Sequence, residues 1–236
     1  MDAPLATALP ALDWTRITES LDAHGNAVIN ALLTPAQCTE LADGYVAAGR
    51  YRSRIVMERH GFGRGEYKYF SYPLPPLLQQ LRGALYPYLA LVANRWNRQM
   101  GIAVQYPPDH ATFLQRCHDA GQRRPTPLIL QYGPGDYNCL HQDLYGEHVF
   151  PLQVAILLSR PGTDFTGGEF VMTETSSREQ RADVLPLQQG DALIFTVNQR
   201  PVPGVRGWRK TAMRHGVSAL HSGRRHTLGL IFHDAQ

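Results

Sequence analysis

Leu128–Ser159 reads LILQYGPGDYNCLHQDLYGEHVFPLQVAILLS, and this stretch decides the fold. Leu128 to Tyr132 and Val149 to Ser159 are short apolar runs, rich in residues that favour strands and bounded by glycine and proline. Gly133-Pro134-Gly135-Asp136 is a turn between them. The same rhythm continues to the carboxyl end through Glu169 to Thr173, Ala192 to Val197, Thr211 to Ala219 and Arg225 to Phe232. Arg160-Pro161-Gly162, Gly167-Gly168, Gln189-Gly190-Asp191, Pro203-Gly204 and Ser222-Gly223 punctuate these runs. Many short strands with regular turns predict a barrel or jelly roll.

Upstream the pattern is helical. Thr34-Pro35-Ala36-Gln37 is a helix start, with Thr34 as cap, Pro35 at the first helical position and Gln37 completing a capping box. Leu41, Tyr45 and Val46 carry the apolar stripe towards Gly49. A second helix is expected from about Pro76 to Met100, where Leu77, Leu78, Leu81, Leu85, Leu89, Leu91, Val92 and Trp96 recur at roughly helical spacing. The predicted class is therefore α+β, with amino-terminal helices packed outside a β-core. Residues 1–124 form the supporting helical region and 125–236 the core, joined in one integrated domain.

Composition narrows the function. The 236 residues are 43% hydrophobic and 18% charged, which fits a globular core and excludes a disordered tail or long coiled coil. Gly 21 and Pro 17 are scattered, so collagen and low-complexity readings fail. A net charge of +3 permits an anionic partner without requiring one. Cys38, Cys117 and Cys139 are odd in number and lack a C-x-x-C pair, so neither a disulfide framework nor a cysteine zinc site is expected. The start of the chain has no basic region followed by an apolar one, and no apolar run reaches the ~18 residues of a membrane span. A cytoplasmic protein without a membrane partner is the expectation.

Three features carry chemistry. In His141-Gln142-Asp143, residues i and i+2 of a strand would aim an imidazole and a carboxylate at one point. His215 alternates with Met213 and Val217, so it should face inward. Arg225 and Thr227 share one strand face, while His226, Leu228, Leu230 and Phe232 take the other. Each feature alone has an ordinary explanation: a turn histidine beside a surface aspartate, a satisfied core histidine, an exposed arginine pair near a hairpin. Together, two histidines and one carboxylate match the metal-binding triad of non-haem Fe(II) oxygenases, and an inward arginine needs an anion such as a 2-oxoacid carboxylate. His148, His221, His226 and His233 are rival ligands that read better as structural or exposed residues. Cys139, two residues before His141, reads as a packing residue.

The H-x-D, the long gap to His215 and the Arg-x-Thr ten residues beyond it resemble the Fe(II)/2-oxoglutarate dioxygenase superfamily over about Leu128 to Phe232. Gly167-Gly168-Glu169-Phe170 and Gly190-Asp191-Ala192-Leu193-Ile194-Phe195 look like the middle strands of its double-stranded β-helix (jelly-roll) core. Gln131 to Asp143 resembles the approach to the metal in AlkB-type nucleic-acid demethylases, which implies that Tyr132 contacts 2-oxoglutarate. The His215-to-Arg225 spacing looks more like prolyl-hydroxylase-type members. The whole chain is most similar to a bacterial oxygenase family described as acting on damaged DNA, and Glu58 to Phe70 looks typical of that family.

The resemblance implies that His141, Asp143 and His215 bind Fe(II). It also implies that Arg225, Thr227 and Tyr132 hold the cosubstrate 2-oxoglutarate, and that O2 is consumed. A single-stranded or damaged nucleic acid is one expected partner, with oxidative dealkylation as the reaction. A protein side chain or small metabolite is the alternative substrate, and a non-catalytic cupin-like metal-binding module is the alternative of another class. No acidic residue occurs between Ala192 and His233, whereas Arg200, Arg206, Arg209, Lys210, Arg214, Arg224 and Arg225 do. That run suits either a phosphate-tracking surface with Trp208 for stacking or a solvated loop. Tyr67, Tyr69 and Phe70 suit either a cover over the site or a staple of helices to barrel.

Overall fold

Side-chain caps start the first two helices. In the computed structural model, which describes residues 9–144, 146–176 and 179–236, helix α1 (Trp14–His24) begins where the Asp13 carboxylate accepts from the Arg16 N–H. It stops at Gly25, whose φ of 74° suits glycine. Helix α2 (Pro35–Asp43) has the expected capping box: Thr34 Oγ1 accepts from Gln37 N at 3.3 Å and Gln37 Oε1 accepts from Thr34 N at 2.9 Å. Helix α3 (Pro76–Gln99) turns Leu78, Leu81, Leu85, Leu89 and Trp96 inward. Helix α4 (His110–Asp119), capped by Asp109, is an addition to the expected elements.

The amino-terminal half is not only helical. Strands β1 (Asn26–Ile29), β2 (Tyr51–Val56), β3 (Gly63–Arg64) and β4 (Glu66–Phe70) also come from it. Most of their residues are half-buried, and charges interrupt β2 and β4, so the apolar signal that marks a core strand is missing. The second half supplies β5 (Leu128–Tyr132), β6 (Tyr137–His141), β7 (Leu152–Leu157), β8 (Phe165–Gly167), β9 (Phe170–Thr175), β10 (Gln180–Leu185), β11 (Ala192–Thr196), β12 (Gln199–Gly204), β13 (Gly207–Val217), β14 (Leu220–Gly223) and β15 (Arg225–Leu230).

The pairing is antiparallel. A seven-stranded sheet has the order β1-β11-β7-β15-β5-β4-β2, and a six-stranded sheet the order β10-β9-β13-β6-β3, with β12 paired to β13. The first sheet has two apolar faces. Val154, Ile156, Ile194, Leu228 and Leu230 pack with the helices in one buried cluster. Ala155, Leu157, Leu193 and Phe195 join Phe170, Met172, Met213 and Val217 of the second sheet in another. Strand β7 is thus buried along its whole length, as a strand covered on both faces must be. Among the described residues no helix is long and apolar enough to cross a membrane.

Candidate active site

The two sheets converge on the three residues that the motif reading selected. Strand β6 ends at His141, which stands opposite His215 of β13. Asp143 lies in the loop beyond β6, not within a strand. The parity rule therefore does not place it, yet its carboxylate reaches both rings: Oδ1 is 3.5 Å from His141 Nε2 and Oδ2 is 3.5 Å from His215 Nε2. The ligand atoms of the three residues all lie within 4.8 Å of one another. The β6–β13 register shifts just after His215, at Gly216, where a Cβ would stand 2.7 Å from the Asn138 carbonyl oxygen. A side chain there would force the strands apart.

The surroundings prepare these groups to hold a cation. His141 Nδ1 lies 2.8 Å from the Cys139 carbonyl oxygen, so a proton is held on Nδ1, and Nε2 is the atom that donates to Asp143 here and would turn its lone pair to a cation once deprotonated. Phe170 stacks on the His215 ring at 5.8 Å, and Phe195 approaches it at 4.6 Å. Burial disfavours ionised Asp143, but hydrogen bonds from His141 and His215 outweigh it and hold the carboxyl far below the usual range. Burial likewise opposes a charge on His141, yet its hydrogen bond and attraction to Asp143 leave its pKa raised. His215, more deeply enclosed, is lowered by burial. Gln142 anchors the loop between the ligands: its Nε2 donates to Asn198 Oδ1 at 2.9 Å and to the Met213 carbonyl at 2.8 Å.

One cavity of about 300 Å³ holds this cluster together with Tyr132, Arg225 and Thr227. Arg225 opens β15 opposite Tyr132 and is only 2% exposed. Its Nη1 donates to Thr227 Oγ1 at 2.6 Å, and its guanidinium carbon is 5.7 Å from the Tyr132 ring centre and 5.8 Å from that of Phe165. No described carboxylate forms an ion pair with it. Among the described residues, no hydrogen-bond partner meets the buried Arg225 Nε or Tyr132 Oη. Burial lowers the Arg225 pKa and raises that of Tyr132. A buried cation and a buried hydroxyl, each with a polar atom left to pair and both lining the same cavity, fit an anionic ligand.

The other expectations sort clearly. His148, His221, His226 and His233 lie outside the cluster; His226 bonds to Gln131 and His233 accepts from the Phe150 N–H. Cys139 is exposed rather than packed, and its role is the backbone carbonyl that meets His141. Tyr67 and Tyr69 line the cavity, whereas Phe70 belongs to the helix-side core, so alternation along β4 splits the trio. Arg200 leaves the basic surface: it is buried and paired with Glu174 at 2.8 Å. Gln153, a cavity residue that the motifs did not select, shows itself in the sequence as the polar member of the apolar run Leu152–Leu157.

Similar proteins give the family and the fold. Residues 65–235 match the Oxygenase-NA family, described as "Oxygenase, catalysing oxidative methylation of damaged DNA". Two uncharacterized proteins of Mycobacterium tuberculosis strains are each 46% identical over 188 residues, covering 79% of this chain and 78% of their own. Among solved structures, a Pseudomonas putida prolyl-4-hydroxylase superposes with a TM-score of 0.56 at 14% identity, covering 94% of this chain and 99% of that one. An oxidoreductase of the 2OG-Fe(II) oxygenase family from Burkholderia pseudomallei gives 0.53 at 13% identity, covering 95% and 94%. At such identities the structural likeness is one of fold.

Proposed function

The chain belongs to the Oxygenase-NA family, and from that membership we propose that it is an Fe(II)- and 2-oxoglutarate-dependent dioxygenase acting on damaged nucleic acid. The observation that carries the reading is Arg225: a buried guanidinium that no described carboxylate approaches within ion-pair distance, in the same cavity as a His-Asp-His cluster. The eight strands β5, β6, β7, β9, β10, β11, β13 and β15 then form a double-stranded β-helix, with β11-β7-β15-β5 facing β10-β9-β13-β6. Residues 1–124 support the core of 125–236 as part of one unit, since β1 extends β11 and β4 extends β5. The free thiols of Cys38, Cys117 and Cys139 suit a cytoplasmic setting.

Within this reading, His141, Asp143 and His215 would hold the iron. When bound, iron and 2-oxoglutarate supply the oxidising chemistry, in which O2 and the cosubstrate give succinate, CO2 and one oxygen atom for the substrate. Asp143 stays ionised and contributes the charge that favours a divalent cation. Arg225, with Thr227 and Tyr132, would bind a carboxylate of the cosubstrate, and the apolar walls from Met57, Phe170 and Phe195 exclude water. Tyr67 and Tyr69 offer ring faces to an unstacked base. Hydroxylation of an N-alkyl carbon would leave a hemiaminal that releases aldehyde and the repaired base.

The test is turnover with Fe(II) and 2-oxoglutarate across alkylated oligonucleotides and peptides, reading succinate and aldehyde. Oligonucleotide-stimulated succinate with aldehyde release supports the reading. Stimulation by peptides alone would favour the second reading, a protein side-chain hydroxylase, to which the ten-residue spacing from His215 to Arg225 points.

A further inference from the structure

Residues 199–214 of the β12–β13 hairpin do not line the cavity, yet they run on from the His215 segment that does. Strand β13 carries His215 and runs back unbroken to Gly207. The hairpin is rooted beside the cavity: Gln142 bonds to Asn198 and to the Met213 carbonyl, and the Met213 N–H donates to the Asn198 carbonyl at 2.6 Å. Lys210 stands roughly 17 Å from His215 at the rise of an antiparallel strand.

Alternation along β13 divides its side chains. Thr211, Met213 and His215 are buried. Lys210 and Arg214 are exposed, and Trp208, of the same parity, is 50% exposed. Arg206 and Arg209 add charge near the tip. None of Arg206, Arg209, Lys210 and Arg214 forms an ion pair with a described residue, and no acidic residue occurs from Ala192 to His233. A half-exposed indole in line with two cations, on the face of β13 opposite His215 and on the same strand as that candidate ligand, combines the two elements that bind single strands without regard to sequence: a base-stacking platform and a positive track.

We propose that the outward row Trp208, Lys210 and Arg214 is a binding track that holds single-stranded nucleic acid along the outer face of the β12–β13 hairpin, next to the cavity rather than inside it. This rests on the nucleic-acid reading of the site and adds where, and by which residues, the strand is held. Trp208 stacks on a base, while Lys210 and Arg214 contact phosphates. Arg200, although part of the same basic run, contributes nothing, because Glu174 already neutralises it in the interior.

The experiment is fluorescence anisotropy of a labelled, unmodified single-stranded oligonucleotide against the full chain at several salt concentrations. The wild type should bind with an affinity that falls steeply with salt. Combined Lys210→Ala and Arg214→Ala should reduce the log–log salt slope by about 1.4, at ~0.7 per phosphate contact on a single strand. Trp208→Ala should weaken binding roughly tenfold or more with an unchanged slope, and Trp208→Phe should recover most of it. Arg98→Ala, an exposed cation on α3, should change neither. Thermal denaturation checks that each variant is folded. A wild type that binds the oligonucleotide, with a double variant that keeps its slope, overturns the track and leaves the nucleic-acid reading standing. A wild type with no salt-dependent binding overturns both. Binding to phosphatidylserine vesicles without oligonucleotide binding would also overturn the proposal, assigning the row to a membrane surface.

Discussion

Arg225 is held at a position where an uncompensated charge is costly, and among the described residues its side chain hydrogen-bonds to Thr227 alone. A charge-assisted hydrogen bond contributes about 1.5–3 kcal/mol, and ~1.4 kcal/mol is a factor of ten in affinity. Arg225→Ala should therefore weaken 2-oxoglutarate binding at least roughly tenfold by calorimetry, and Arg225→Lys should be intermediate because an ammonium lacks the planar fork. Arg224 is the control: it is exposed and of opposite parity, so Arg224→Ala should leave 2-oxoglutarate binding unchanged. Equal effects at both positions would refute the clamp. Asp143 gives a second prediction. Asp143→Asn nearly preserves shape but removes the charge on which His141 and His215 converge; metal binding, followed with Mn(II) by electron paramagnetic resonance, should fall by at least about tenfold while the thermal midpoint changes little. Metal affinity equal to wild type would remove Asp143 from the ligand set.

At the scale of elements, the His141–His215 pairing depends on the irregular register of β6 against β13. Gly216→Val would place its Cβ 2.7 Å from the Asn138 carbonyl oxygen, a backbone group that cannot swing aside. The variant should lose stability by roughly 1–3 kcal/mol, as overpacked sites do, and lose metal affinity with it; a denaturation curve matching the wild type would show that the two strands can part freely. The legibility of the strands follows their burial. Leu128–Tyr132 and Ala192–Thr196 stand out because both faces are covered or nearly so. Gln180–Leu185 is an edge strand with mostly exposed side chains, and Gln199–Gly204 carries two prolines, so neither shows the pattern of a strand. The capping box of Thr34 and Gln37 is legible because its bonds are local.

At the scale of the molecule, buried histidines tie stability to pH. Burial, with Arg82 nearby, pushes the pKa of both His110 and His233 down to about 4 from 6.5. Between pH 6.5 and 4 the unfolded chain therefore binds protons that the folded chain refuses. The stabilising contribution is complete above about pH 6.5, declines as pH falls through this window and is lost below about 4. Each group accounts for on the order of 3 kcal/mol. Urea midpoints should fall steadily from pH 7 to 4, and His110→Gln should make that fall shallower. A midpoint independent of pH across this window would show that these rings titrate normally in the fold.

The sequence by itself determined the β-rich core, the helix starts and the set of candidate ligands, because each depends on neighbours one to four positions apart: strand alternation, a capping box, H-x-D, Arg-x-Thr. Only the tertiary structure decided what those residues meet. It carried Asp143 past the end of β6 and still onto both histidine rings, separated Tyr67 and Tyr69 from Phe70, drew Arg200 into the interior against Glu174 and left Lys210 and Arg214 outside. It also brought Gln142 to Asn198 and Met213. The physical reason is that side-chain direction along a strand is local, whereas burial and charge compensation depend on which distant strand or helix packs against each face.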